Sequence, residues 1–141
     1  MSIGKPKQRQ VIRYGYLWLD EARGGHESAR KDRPCAIVLV APDERNRDQV
    51  VVAPITHRRP TEPGTAIELP RWVKAQLGLD DERSWIVTAE VNRFIWPGPD
   101  LQLVDDTATY GDLPMPIFRQ LVKALQVNVR AGRLRIVKRT E

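Results

Sequence analysis

Residues 24–34, GGHESARKDRP, gather His26, Glu27, Ser28 and four further charged side chains between two apolar runs, YGYLWL (14–19) and CAIVLV (35–40). A polar loop needs no such selection merely to stay solvated. Histidine titrates near neutrality and can give or take a proton. An arginine such as Arg33 stays charged at any relevant pH and can fork onto two oxygens of a phosphate. Further along, Thr56 closes the run VVVAPI, followed by His57, Arg58 and Arg59, while Glu90 and Asn92 lie within or just after the apolar run SWIVTAEV. A carboxylate in such a run calls for an explanation, because burial without a partner is costly. Partial burial would raise the pKa of Glu90 and suit it to act as a base.

These residues fall at the ends of apolar runs, where a rigid sheet would hold them in place. Runs rich in β-branched and aromatic residues predict strands at 14–19, 35–40, 50–55, 66–69 and 84–91, with 93–96 extending the last and 101–104 a weaker candidate. Segments 42–48 and 56–65 read as loops from their Pro, Gly, Asp and Asn content. Residues 70–77 suit a short helix ended by Gly78. A longer helix is predicted late, with Asp112 as cap, Pro114 and Pro116 in the first turn, apolar residues at Ile117, Phe118, Leu121, Leu125 and Val129, and Gly132 as its stop. Short strands followed by one amphipathic helix predict a mainly β (α+β) fold, a small, strongly bent sheet or barrel with a helix packed on it.

The 141 residues match one domain, predicted to span 14–131 between a basic segment at 1–13 and a basic tail at 132–141. The net charge of +5 is carried by residues 1–19 and 130–141, since the 14 basic and 17 acidic residues of 20–129 leave the body at −3. Those ends are either solvated tails or a grip on an anionic partner such as nucleic acid. One cysteine, Cys35, cannot form an internal bridge and reads as a small buried hydrophobe, in keeping with a reducing cytoplasm. The start of the chain lacks an apolar signal core, and the longest apolar run is too short to span a membrane.

Common site signatures are missing: there is no GxGxxG, no Walker loop, no paired CxxC and no HExxH. Two histidines and one cysteine supply a metal site poorly, so no metal and no cofactor is expected. The carboxylates at 80–82 and 105–106 read as solvated turns. Each candidate also has a structural alternative. Arg33 could tie a loop to the sheet, Thr56 could cap a turn, and Glu90 could pair with Arg93. Glu27 could bond loop backbone, His57, Arg58 and Arg59 could line a solvated loop, and the four tryptophans could serve the core or a dimer contact.

The order GYLWLD, then GGHESARKDRPCAIVLV, then VVVAPITHRRP resembles the MazF/PemK/Kid toxins of type II toxin–antitoxin systems, well over residues 14–60 and more loosely through SWIVTAEVNR to the C-terminal helix. That resemblance implies an SH3-like barrel with a C-terminal helix, a homodimer, and metal-independent cleavage of single-stranded RNA, held in check by an antitoxin. Motif by motif it places Arg33 on the catalytic arginine, Thr56 on the threonine that orients RNA, His26 on the polar residue of the G-[HS]-E loop and Glu90 near the general base. Glu27, Ser28, His57, Arg58, Arg59 and Asn92 then become candidates for RNA contact. The chain departs from the pattern in three places. Its loop is one residue longer between Glu27 and Arg33, Thr88 stands where a second arginine is expected, and VNRFIWPGPD replaces the usual stretch after the carboxylate. Two other functions fit such a barrel: a binding module for RNA or protein without catalysis, and a CcdB-like inhibitor of gyrase.

Overall fold

The computed structural model describes residues 4–23, 32–105 and 107–139. Within them the order is β1 (Gln10–Tyr14), α1 (Leu19–Arg23), β2 (Arg33–Pro42), β3 (Asp48–Thr56), β4 (Ala66–Glu68), α2 (Arg71–Gln76), β5 (Trp85–Val87), β6 (Glu90–Ile95), β7 (Leu101–Gln102), β8 (Gly111–Asp112), α3 (Met115–Arg130) and β9 (Arg135–Lys138). The architecture is mainly β, as predicted. The strands form a bent sheet in the path β4-β5-β3-β2-β1-β7, with β6 between β3 and β9 and β8 beside β1. The path does not close on itself, so the shape is an open, barrel-like curl. All pairings are antiparallel except β6 with β9.

Apolar residues fill both faces of the central strands, which explains why CAIVLV reads as a continuous apolar run rather than an alternation. Ala36 joins a core with α2 and α3, including Val73, Leu113, Leu121 and Leu125. Its neighbours Cys35 and Ile37 face a second core with Ile12, Tyr14, Tyr16, Val50, Val52 and Phe94. Here Tyr14 stacks on Phe94 at 4.4 Å between ring centroids. Cys35 is fully buried, and burial pushes its thiol pKa far up, as suits an inert core residue.

β3 is the strand that shapes the site. One edge pairs with β2 from Asp48 to Pro54, while the other switches partner. Near the Asp48 end it pairs with β6 as far as Val52↔Asn92, and at the other end with β5 from Ile55↔Ile86. Two residues of β3, Ala53 and Pro54, therefore face five residues, 87–91, of the segment that ends β5 and begins β6. Pro54, with no N–H to donate, sits inside this interruption. The single strand predicted over 84–91 is accordingly two, broken at Thr88-Ala89.

The strand predicted at 14–19 lies earlier, at Gln10–Tyr14, and α1 follows it. The backbone of residues 15–19 finds its partners elsewhere. Gly15 N–H donates to Asp100 O (2.9 Å), Leu17 N–H to Asn92 Oδ1 (2.9 Å) and Leu19 N–H to Glu90 Oε2 (2.8 Å). Asn92 Nδ2 and Arg139 Nη1 return bonds to the carbonyls of Leu17 and Gly15. Side chains thus satisfy this segment in place of a ladder. Within α1, Glu21 reaches back to the N–H of Trp18 (3.2 Å), half of a capping box.

In α3 the buried positions are Ile117, Phe118, Leu121, Leu125 and Asn128. Val129, predicted on that face, is 59% exposed. Asn128 turns inward instead because its amide nitrogen serves the carbonyls of Gly64 and Thr88. Asp112 lies in β8 rather than capping the helix; Pro114 holds the N-cap position, and Gly132, with φ 69°, follows the C-cap. Both basic ends feed the sheet. Gln10–Tyr14 pairs with β2, and Arg135–Lys138 pairs with β6. No described helix is long and apolar enough to cross a membrane.

Candidate active site

The switch of partners along β3 leaves an open cleft of about 560 Å³ at its Thr56 end. Arg33 at the start of β2, Thr56 at the end of β3 and Glu90 at the start of β6 all line it, together with Arg58 and Arg59 from the following loop and Trp18, Asp20 and Glu21 from the other side. These side chains come from segments far apart in sequence, and the sheet joins them.

Glu90 is half-buried. Its Oε2 accepts hydrogen bonds from Tyr16 Oη (3.0 Å) and from Leu19 N–H (2.8 Å), and no described cation pairs with it. Arg93, the alternative ion-pair partner, lines a different groove, because residues three apart on a strand lie on opposite faces. Burial is the main influence and holds the Glu90 carboxyl above the usual carboxylate range, with the two hydrogen bonds opposing it. Burial also raises the Tyr16 hydroxyl strongly, which keeps it protonated as a donor. Oε2 is thereby committed to the protein, leaving Oε1 for another partner.

Arg33 lies with its guanidinium 5.0 Å from the ring of Trp18, close enough for a cation–π contact. Its Nε is buried and has no hydrogen-bond partner among the described residues. An arginine tying a loop to the sheet would satisfy that atom. Thr56 accepts a bond from the N–H of Arg58 (3.1 Å) through its hydroxyl oxygen, so it does cap the turn. Its own hydroxyl hydrogen remains free to donate, and the two readings of this threonine coexist.

The remaining candidates separate. His57 lines a neighbouring cleft of about 380 Å³ with Arg33 and Thr56, and it turns away towards Asp80 (2.8 Å from Nε2) and Glu82 (3.3 Å from Nδ1). Asp80 also receives the Nζ of the buried Lys74 at 2.7 Å, and Lys74 and His57 hold its carboxyl below the ordinary range. Potential ligand atoms of His57, Asp80 and Glu82 lie within 4.8 Å of one another, but the lysine ammonium and the imidazole already serve these carboxylates. Asn92 is fully buried with both amide atoms on Leu17, so it holds the 15–19 segment rather than facing the cleft. His26, Glu27 and Ser28 lie outside the described residues.

Thr88, at the position where a second arginine was expected, is fully buried and donates to Gly64 O (3.0 Å). The extra positive charge of this cleft comes instead from Arg58 and Arg59. Sequence reasoning missed Tyr16 and Trp18, which position Glu90 and Arg33. The available signal was their alternation in YGYLW, two aromatics two residues apart, one on either side of Leu17.

Residues 15–94 match the family described as PemK-like, MazF-like toxin of type II toxin–antitoxin system. No curated protein matches the chain.

Proposed function

The chain belongs to the PemK-like, MazF-like toxins of type II toxin–antitoxin systems, and on that premise we propose that it is an endoribonuclease that cleaves single-stranded RNA without needing a metal. The observation that carries this reading is the convergence of Arg33, Thr56 and Glu90 on one cleft, with one carboxylate oxygen anchored and the other left open.

The RNA supplies its own nucleophile. The 2′-oxygen forms a bond to phosphorus as the bond from phosphorus to the 5′-oxygen breaks. Glu90, in its charged form, takes the 2′-hydroxyl proton through Oε1. Arg33 forks onto the phosphate oxygens as negative charge builds there, and Thr56 donates its hydroxyl hydrogen to the same group. Arg58 and Arg59 attract the flanking phosphates. The leaving 5′-oxygen needs a proton, for which His26 is the sequence's candidate. The products are a 2′,3′-cyclic phosphate and a 5′-hydroxyl.

The family premise also supports a cognate antitoxin, a homodimer and a cytoplasmic setting. Thr88 in place of an arginine favours one other reading, a barrel that binds RNA without cutting it. A gyrase inhibitor acting through a free helix end fits less well, since the chain after α3 returns to the sheet as β9.

The test is incubation of purified protein with a long, weakly structured RNA in excess EDTA, followed by end-group analysis. Discrete fragments ending in 2′,3′-cyclic phosphate, lost in Arg33→Ala, are expected. RNA that stays intact with folded protein would overturn the catalytic reading.

A further inference from the structure

The basic ends of the chain are not explained by the cleavage cleft. Two cations of the C-terminal end, Lys138 and Arg139, join three from the body at the opposite end of β3, roughly 25 Å from Thr56 at the usual rise of a strand. A groove of about 810 Å³ there is lined by Arg45 and Arg47 of the β2–β3 turn, Arg93 of β6, and Lys138 and Arg139 at the end of β9.

Two of these cations are already engaged. Arg47 pairs with Asp43 (2.8 Å), and Arg139 pairs with Asp100 (2.6 Å). The side chains of Arg45, Arg93 and Lys138 have no carboxylate partner among the described residues, and Glu44 is the one unengaged acid lining the groove. Arg93 and Lys138 are direct partners across the parallel β6–β9 pair, so like charges stand side by side. Such a pair is destabilising on its own. The Nε of Arg93 is also buried without a hydrogen-bond partner among the described residues. An adjacent pair of cations with an orphaned guanidinium nitrogen is the arrangement an oxyanion would complete.

We propose that this groove is a second anion site, which takes the phosphodiester backbone of single-stranded RNA beyond the segment held in the cleavage cleft. The choice of RNA rests on the ribonuclease reading; the presence of an anion site does not. An acidic peptide is the other polyanion to consider, but peptides that order on binding rely on apolar anchors. The large exposed apolar residues, Leu39, Trp72, Leu103, Met115, Val127, Val129 and Ile136, all lie outside the lining of this groove. Charge without a large exposed apolar side chain suits a phosphate backbone, which is held by position-setting contacts rather than base readout.

The test uses the full chain carrying Arg33→Ala, so that RNA is cut at least about 100-fold more slowly during the binding measurement, and adds the exposed pair Arg45→Glu and Lys138→Glu. Fluorescence anisotropy follows binding of a long single-stranded RNA, and of one of about five nucleotides, near the smallest span that one small barrel covers. The charge reversals are expected to weaken long-RNA binding at least about tenfold and to lower the salt slope by about 1.4, two phosphate contacts at about 0.7 each. The short RNA should bind as before, with thermal unfolding unchanged. Unchanged long-RNA affinity and slope would overturn the proposal, as would an equal loss for both lengths, which would mark a general charge effect. Tighter binding of poly-glutamate than of RNA, lost on the same reversals, would overturn it in favour of an acidic protein partner. Should wild type bind long RNA through the groove yet leave all RNA intact, the catalytic reading fails and this site stands.

Discussion

At the Thr56 end of β3 the groups proposed for chemistry are held by companions: Glu90 by Tyr16 and Leu19, Arg33 over Trp18. At the Asp48 end, the side chains of Arg45, Arg93 and Lys138 have no carboxylate partner among the described residues. The cleft mixes signs, with Asp20, Glu21, Glu62 and Glu90 among its arginines, whereas the groove is predominantly positive. The difference follows from what each end would do. Proton transfer requires a carboxylate fixed in direction and shifted in pKa, which needs burial and specific donors. Holding a backbone phosphate requires positive charge at the right place, which exposed side chains provide.

The contrast breaks most sharply at the cleft. Glu90→Gln removes the proposed base and is expected to slow cleavage about 100- to 10,000-fold. Arg33→Ala removes a charge aimed at the phosphate and should cost about 100- to 1,000-fold, both read in single-turnover cleavage. An Arg45→Glu/Lys138→Glu protein with an intact cleft should keep its single-turnover rate on short RNA.

Asn92→Ala tests whether the 15–19 segment positions the site. It strips the buried N–H and carbonyl of Leu17 of their partner, and a loss of about 2–4 kcal/mol in unfolding free energy is expected from two such groups. Denaturant unfolding reads the stability. Cleavage under conditions where the variant remains folded should still fall, because Tyr16 and Trp18 flank the loosened residue. Full activity of the folded variant would show that the segment does not position the site.

A smaller effect concerns pH. As the proposed base Glu90 acts in its charged form, and burial raises its pKa, so cleavage should fall as pH drops through a value above the ordinary carboxylate range. Tyr16→Phe removes a bond that favours the charged form, so this limb should move to higher pH while the plateau changes less. Stability has the opposite sign. A carboxyl raised in the folded state contributes stability below its unfolded pKa, and that contribution is lost as pH rises through the folded value. A pH–stability curve of Glu90→Gln should lack this component. The least effect is expected from Arg58→Ala or Arg59→Ala, a rise in KM of a few-fold with kcat nearly kept, since both are exposed and act through charge alone.

Sequence patterns made the central fold legible. The runs at 35–40 and 50–55 became β2 and β3, and the spacing of Ile117, Phe118, Leu121 and Leu125 produced α3. They misled where side chains replaced a ladder. YGYLWL has strand composition, but Asn92, Glu90 and Arg139 supply the partners for residues 15–19, and nothing local announces that. Val129 likewise fits the apolar stripe of the helix, yet Asn128 is buried because Gly64 and Thr88, distant in sequence, present carbonyls to it.

Residue type and order alone determined the chemistry on offer: a permanent cation beside a proline at the start of one strand, a hydroxyl at the end of the next, and a carboxylate in an apolar run. These are properties of single side chains and of their sequence along strands, and the chain states them directly. Only the tertiary structure decided that Arg33, Thr56 and Glu90 share a cleft, that Asn92 does not, and that Lys138 and Arg139 meet Arg45, Arg47 and Arg93 in a groove. Those outcomes depend on where β3 exchanges β6 for β5 and on which buried polar groups find partners. Both are set by the packing of segments distant in sequence, through forces that no single stretch contains.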